Sequence, residues 1–106
     1  MKVSIILVNY NAAVLIRQCL RSIYEHTKEI LFEIIVVDNA SSDDSRQVIR
    51  SEFSGVHLIE SPENLGFSSG NNLGASAAKG RYLLFLNTDT ILFENSIRIL
   101  AEYLDA

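Results

Sequence analysis

Four short apolar runs, at 3–8, 33–37, 56–59 and 82–86, constrain this chain more than any other feature. They are rich in β-branched and aromatic residues, the composition of strands. Three of them are nearly continuous rather than alternating, as parallel strands covered on both faces are. The segments between them have helical spacing. Leu15, Ile16, Cys19, Leu20, Ile23 and Tyr24 form one apolar stripe, with Arg17, Gln18 and Arg21 turned outward. A second helix carries Val48, Ile49, Glu52 and Phe53 behind Ser41-Ser42-Asp43-Asp44, whose short polar side chains suit a helix start. A last helix, 94–104, is expected to turn Ile97, Leu100, Tyr103 and Leu104 toward a core. The resulting β-α-β-α-β-α-β-α order predicts an α/β fold: a Rossmann-like, mostly parallel sheet with right-handed crossovers and helices on both faces.

The third helix is unusual because Gly66, Gly70 and Gly74 repeat every four residues. A glycine inside a helix costs about 1 kcal/mol relative to alanine. Two reasons could offset that cost: close packing of the helix on the sheet, or close approach of backbone to a ligand around 64–70. Lys79-Gly80 is expected to end this helix, with a cation in the last turn and a flexible residue after it.

A chain of 106 residues can fill one core but not two, so 1–106 reads as a single domain. Its net charge of −4 and scattered lysines and arginines exclude a nucleic-acid partner. The longest apolar runs are far too short to cross a bilayer, and Met1-Lys2 leads into a strand with no secretory signal pattern, so a cytoplasmic location is expected. Cys19 is the sole cysteine, which rules out an internal disulfide and a structural zinc site. His26 and His57 stand apart from any nucleophile, and no hydrolytic triad is suggested. Asp105-Ala106 follows a helix with no Pro/Gly/Ser-rich tail, an ending that reads as a cut, and a halved sheet would leave an exposed edge favouring self-association.

In open α/β sheets ligands bind beyond the carboxyl ends of the strands. In this chain those positions are polar: Asn9-Tyr10-Asn11 after the first strand, Asp38-Asn39-Ala40-Ser41-Ser42 after the second, and Asn87-Thr88-Asp89-Thr90 after the fourth. Three such clusters on one edge predict one site.

The segments V-S-I-I-L-V-N-Y-N, V-V-D-N-A-S-S-D-D-S, N-L-G-F-S-S-G-N-N-L-G and Y-L-L-F-L-N-T-D follow one another in register. Together they resemble the N-terminal half of family 2 glycosyltransferases of the GT-A fold, in particular the rhamnosyltransferase-like members. The resemblance covers almost all of the chain. It implies that Asn9, Tyr10 and Asn11 match a loop contacting a nucleotide base, with Tyr10 stacking on a flat ring. Asp38 matches an acid accepting a hydrogen bond from a base N–H, with Asn39 beside it. The residue types alone also allow Asn9 and Asn11 as turn residues and Asp38 as a cap.

The same resemblance places Asn64, Gly66 and Asn71 along the donor ribose and diphosphate, and Asn87-Thr88-Asp89 at the family's D-x-D position. It therefore implies Asp89 as ligand to Mg²⁺ or Mn²⁺ held with a nucleotide diphosphate-sugar donor, UDP- or dTDP-linked. Asn87 departs from the motif, since it brings an amide where the family has an acid. Transfer of a sugar, with rhamnose implied by the rhamnosyltransferase-like members, to an acceptor glycan or lipid-linked glycan with inversion is the implied reaction of a full enzyme, at the cytoplasmic face of a membrane. No residue of the chain suits the general base, so no catalytic residue is assigned and the acceptor-binding half is expected to be missing. The alternative is a non-catalytic nucleotide-binding or protein-interaction module of Rossmann-like fold.

Overall fold

The computed structural model describes all residues from Met1 to Ala106. Its elements run β1 (Val3–Asn9), α1 (Ala13–His26), β2 (Phe32–Asn39), α2 (Ser45–Glu52), β3 (His57–Ser61), α3 (Phe67–Ser76), β4 (Tyr82–Leu86) and α4 (Ser96–Asp105). The strands form one sheet in the order β3-β2-β1-β4, with every pairing parallel. The expected α/β architecture is therefore present, and each predicted strand falls on an observed one.

Side-chain alternation assigns the two faces. Val3, Ile5 and Leu7 of β1 and Ile34 and Val36 of β2 join Ile16, Cys19, Leu20 and Ile23 of α1 and Val48 and Ile49 of α2 in the main core. Phe53, just past α2, and Ile97 and Ala101 of α4 complete it. Ile6, Val8, Ile35 and Val37 lie on the opposite face beneath α3. β1 and β2 are thus covered on both sides, which explains their continuous apolar runs.

α3 reaches the sheet through its glycines. A Cβ on Gly74 would stand 2.6 Å from Ile6 Cγ2, and one on Gly70 2.9 Å from Val8 Cγ1. Both distances are well inside the about 3.5–4.0 Å of ordinary carbon contact. Close packing is therefore the reason for these two glycines. α3 ends at Ser76, before Lys79-Gly80: the amides of Ala77 and Ala78 bond only three residues back, to Gly74 and Ala75, a tightening that closes the helix early.

The apolar stripes are less completely buried than the sequence implies. Leu15 and Tyr24 of α1 are exposed, as are Leu100, Tyr103 and Leu104 of α4, whereas Ile97 is buried. α4 lies at the β4 edge of the sheet, where only Ile97 and Ala101 reach the core; on the other face α3 lies over β1 and β2 and leaves Leu83 and Phe85 of β4 open to solvent. Tyr82, Leu83 and Leu84 share an apolar groove of about 350 Å³ with Leu100, Tyr103 and Leu104. No helix is long and apolar enough to cross a membrane.

Candidate functional site

The carboxyl ends of β1 and β2 are joined by a buried polar network. Asp38, fully buried, accepts the Ser41 amide at Oδ2 (3.0 Å), and at Oδ1 the Ser41 hydroxyl (2.7 Å) and the Asn9 amide (2.9 Å). Ser41 Oγ also accepts the backbone N–H of Asn11 at 2.9 Å and lies 3.3 Å from Asn9 Nδ2. Arg46 of α2 donates to the Ser41 carbonyl and brings its Nε to 3.7 Å from Asp38. The buried charge is thus surrounded by donors, as a desolvated carboxylate requires. Asn9 Oδ1 is buried with no donor among the protein groups.

The two loops cap each other. Asn11 Oδ1 accepts the amides of Ser42 and Asp43, while Asp43 Oδ2 accepts the amide of Ala13, the first residue of α1. Asp43 Oδ1 takes the Ser45 amide and hydroxyl at the start of α2. Burial pushes the Asp43 pKa up, but the Ser45 and Ala13 donors outweigh it and hold the carboxyl below its ordinary value. The polar run 41–44 therefore starts two helices rather than one. Asn11 and Ala40 both have positive φ, 48° and 59°. Asparagine tolerates that region, while for alanine it carries strain of about 1–2 kcal/mol.

Beside this network, at the carboxyl edge of β1, β2 and β4, lies a cleft of about 460 Å³. Val8, Tyr10, Leu15, Asn39, Asn64, Gly66, Phe67, Asn87, Thr88 and Asp89 line it. Six of the ten residues expected at a site are on its wall: Tyr10, Asn39, Asn64, Gly66, Asn87 and Asp89. Asn9, Asn11, Asp38 and Asn71 are not. Alternation along β2 explains Asp38, whose side chain shares the face of Ile34 and Val36 and lies beneath the wall, so the cleft-facing group at this strand end is Asn39. Asn39 Nδ2 donates to the Gly66 carbonyl at 3.0 Å, clipping the loop before α3 to the sheet. Asn71 sits one turn into α3, half-buried.

Gly66 has φ +82° with nothing near the position of a Cβ, so the left-handed backbone, and not space, requires glycine at this point of the wall. Val8, Leu15 and Phe67 also line the wall without any polar pattern in the sequence to mark them, whereas Thr88 belongs to the polar cluster that follows β4. For Val8 the signal was its place one residue before the polar cluster, and for Phe67 its place directly after Gly66.

The fourth-strand segment turns at Asn87, whose carbonyl accepts the Thr90 amide at 3.0 Å. Asp89 is exposed and makes no hydrogen bond or ion pair with protein. No cluster of three or more His, Cys, Asp or Glu side chains is present. A free carboxylate beside a polar cleft fits a hard cation completed by phosphate oxygens and waters, and does not fit a cage built by the protein alone.

The sequence of residues 4–106 matches the model of Glycosyl transferase family 2. A poly(ribitol-phosphate) beta-glucosyltransferase of Bacillus spizizenii is 37% identical over 95 residues, which are 84% of this chain and 15% of that protein. S. aureus TarS 1–349 in complex with UDP-GlcNAc superposes with a TM-score of 0.85 at 26% identity, covering 99% of this chain and 31% of that one. A mannosyltransferase from Pyrobaculum calidifontis, in complex with GDP-Man and Mn²⁺, superposes with a TM-score of 0.83 at 27% identity, covering 97% and 31%. The chain thus spans about a third or less of these proteins. A family match of that extent, on a sheet shared with solved transferases, makes this chain a member of glycosyl transferase family 2.

Proposed function

We propose that the chain binds a nucleotide diphosphate-sugar in the strand-edge cleft and forms the donor-binding part of a sugar transferase. The observation that carries this reading is the cleft itself. A half-exposed aromatic ring, a glycine backbone and three asparagine amides meet one unpaired carboxylate at the carboxyl ends of three parallel strands. Structural relatives hold UDP-GlcNAc or GDP-Man.

In the proposed arrangement Tyr10 stacks on the base, and of the two buried side chains at the end of β2, Asp38 and Asn39, it is Asn39, which lines the cleft, that meets its polar edge. Asn64 and Gly66 lie along the ribose and diphosphate. Asp89 would hold Mg²⁺ or Mn²⁺ with Asn87 bonding a metal-bound water, and the cation supplies positive charge against the departing nucleotide diphosphate. These residues bind and orient the donor. The acceptor hydroxyl would attack the anomeric carbon as the bond to the diphosphate breaks, its proton passing to a general base that these residues do not supply, giving inversion. Rhamnose as the sugar and a glycan or lipid-linked glycan as acceptor are the finer readings that the sequence resemblance supports. The whole protein would work at the cytoplasmic face of a membrane, and the open β4 edge would favour self-association.

Calorimetry of the 106-residue chain with UDP, dTDP and GDP, with and without Mn²⁺, tests donor binding. One nucleotide is expected to bind, with Tyr10→Ala weakening it by about 1–3 kcal/mol, the worth of one base–aromatic stack. Asp89→Ala is expected to remove the Mn²⁺ enhancement without lowering stability. No binding of any nucleotide by the folded chain refutes the reading.

A further inference from the structure

The cleft wall formed by 87–89 belongs to a stretch, 87–95, that has no regular secondary structure between β4 and α4. Such a stretch has no ladder of its own, so something else must hold it in place. α1 supplies the contacts. Ser22, buried in the middle of that helix, donates its hydroxyl to the Cys19 carbonyl at 2.8 Å and accepts the Leu92 amide at 3.0 Å. Cys19, one turn earlier on the same face, places its thiol 3.9 Å from the Asn87 carbonyl. Beyond the end of α1, Asn95 closes the stretch, since its side chain accepts the Lys28 amide and donates to the Lys28 carbonyl. Three points of one stretch are thus fastened along a single helix and its end.

We infer that Ser22, assisted by Cys19, is a positioning residue for donor binding: it sets the place of Asn87 and Asp89 in the cleft without touching the donor. This rests on the donor-binding reading above. The hydroxyl of Ser22 is suited to the task because it bonds both partners at once, whereas an alanine would leave the Leu92 amide without its acceptor. An anchored wall lowers the ordering cost of binding, and a released wall restores it.

The test uses the 106-residue chain with Ser22→Ala, and with Ser51→Ala as a comparison, since Ser51 makes only helix back-bonds in α2. Two readings are taken: amide hydrogen exchange at Leu92 without ligand, and affinity for the nucleotide bound by the parent chain, in the presence of Mn²⁺. Ser22→Ala is expected to speed exchange at Leu92 and to weaken binding by about tenfold, the equivalent of one lost hydrogen bond. Ser51→Ala should change neither. If Ser22→Ala fails to fold, Ser22→Cys, similar in size and a poorer acceptor, takes its place with the same expectation. Parent-like affinity in a folded Ser22 variant overturns the inference and leaves the donor-binding reading standing. Absence of nucleotide binding by the parent overturns both.

Discussion

Replacing Gly74 by alanine sets two effects against each other, and the structure says which wins. Alanine is the better helix former by about 1 kcal/mol, so on propensity alone the variant should be more stable. The new Cβ, however, would stand 2.6 Å from Ile6 Cγ2 and 3.3 Å from Val37 Cγ2. Ile6 is fully buried and its Cγ2 is a branch at Cβ, so it has no easy rotation out of the way. Helix and sheet must separate by several tenths of an ångström, which also loosens the Gly70 contact with Val8. Overpacking of this kind costs about 1–3 kcal/mol, and a rigid central strand argues for the upper part of that range. After the propensity gain, the net loss is about 1–2 kcal/mol. For a domain of this size that lowers the melting temperature by about 5–10 °C. Thermal unfolding followed by far-ultraviolet circular dichroism measures it, with Ser68→Ala on the exposed first turn of α3 as a comparison expected within about 0.5 kcal/mol of the parent. A Gly74→Ala chain melting at or above the parent temperature would refute the claim that this glycine sets the distance between α3 and the sheet.

Three further outcomes are expected. Burial, with a smaller contribution from the charge of Asp89, pushes the Cys19 thiol up to about 11; iodoacetamide at about pH 8 should therefore spare the native chain and label it only in denaturant, and equal rates in both states would contradict that placement. Ser41→Ala removes an acceptor from the Asn11 amide and a donor from buried Asp38, so urea unfolding should show a loss of about 2–3 kcal/mol; a loss below about 0.5 kcal/mol would show that the strand-end network contributes little. Burial pushes the Glu33 pKa up, but the Ser4 hydroxyl and the Lys79 amide outweigh it and hold the carboxyl below its ordinary value. Its stabilisation is then present above the unfolded value of about 4.3 and is lost as pH falls through the lower folded value, so the stability gap between parent and Glu33→Gln should narrow on acidification. A gap that stays constant with pH would refute this.

The strands were legible because β1 and β2 are covered on both faces, and a doubly covered strand shows its burial in nearly every residue. Edge position was not legible. The run at 82–86 looks as apolar as β1, yet Leu83 and Phe85 face solvent because no helix covers that side. α4 lies at the same edge on the other face, where Ile97 and Ala101 reach the core while Leu100, Tyr103 and Leu104 stay exposed, a difference that the spacing of apolar residues does not carry. At the site, chain order located all three polar clusters at one edge, but not which member of each pair faces the cleft. Asp38 and Asn39 are both plausible binding groups by chemistry, and only the phase of the pleat separates them. Ala40 gave no warning of its positive φ, since alanine is not a residue from which a left-handed turn is expected. Nor could Ser22 be found, because its partner Leu92 lies 70 residues away in a stretch with no periodicity.

The place of β1 at the centre of the sheet also bears on the order in which the cleft comes into being. Its partners on one side come from the next strand along the chain, 29 residues on, as in the Asn9–Asp38 contact. Its partners on the other side arrive much later, as in the bond from the Gly80 amide to Ser4 across 76 residues. Closing the longer loop costs more entropy, though only logarithmically more, and that closure is needed before the pairing is rewarded. A refolding or nascent chain can thus assemble the walls bearing Tyr10 and Asn39 before the one bearing Asp89. A ligand gripping both sides would select chains that have completed the last strand pairing, making nucleotide affinity a readout of finished folding.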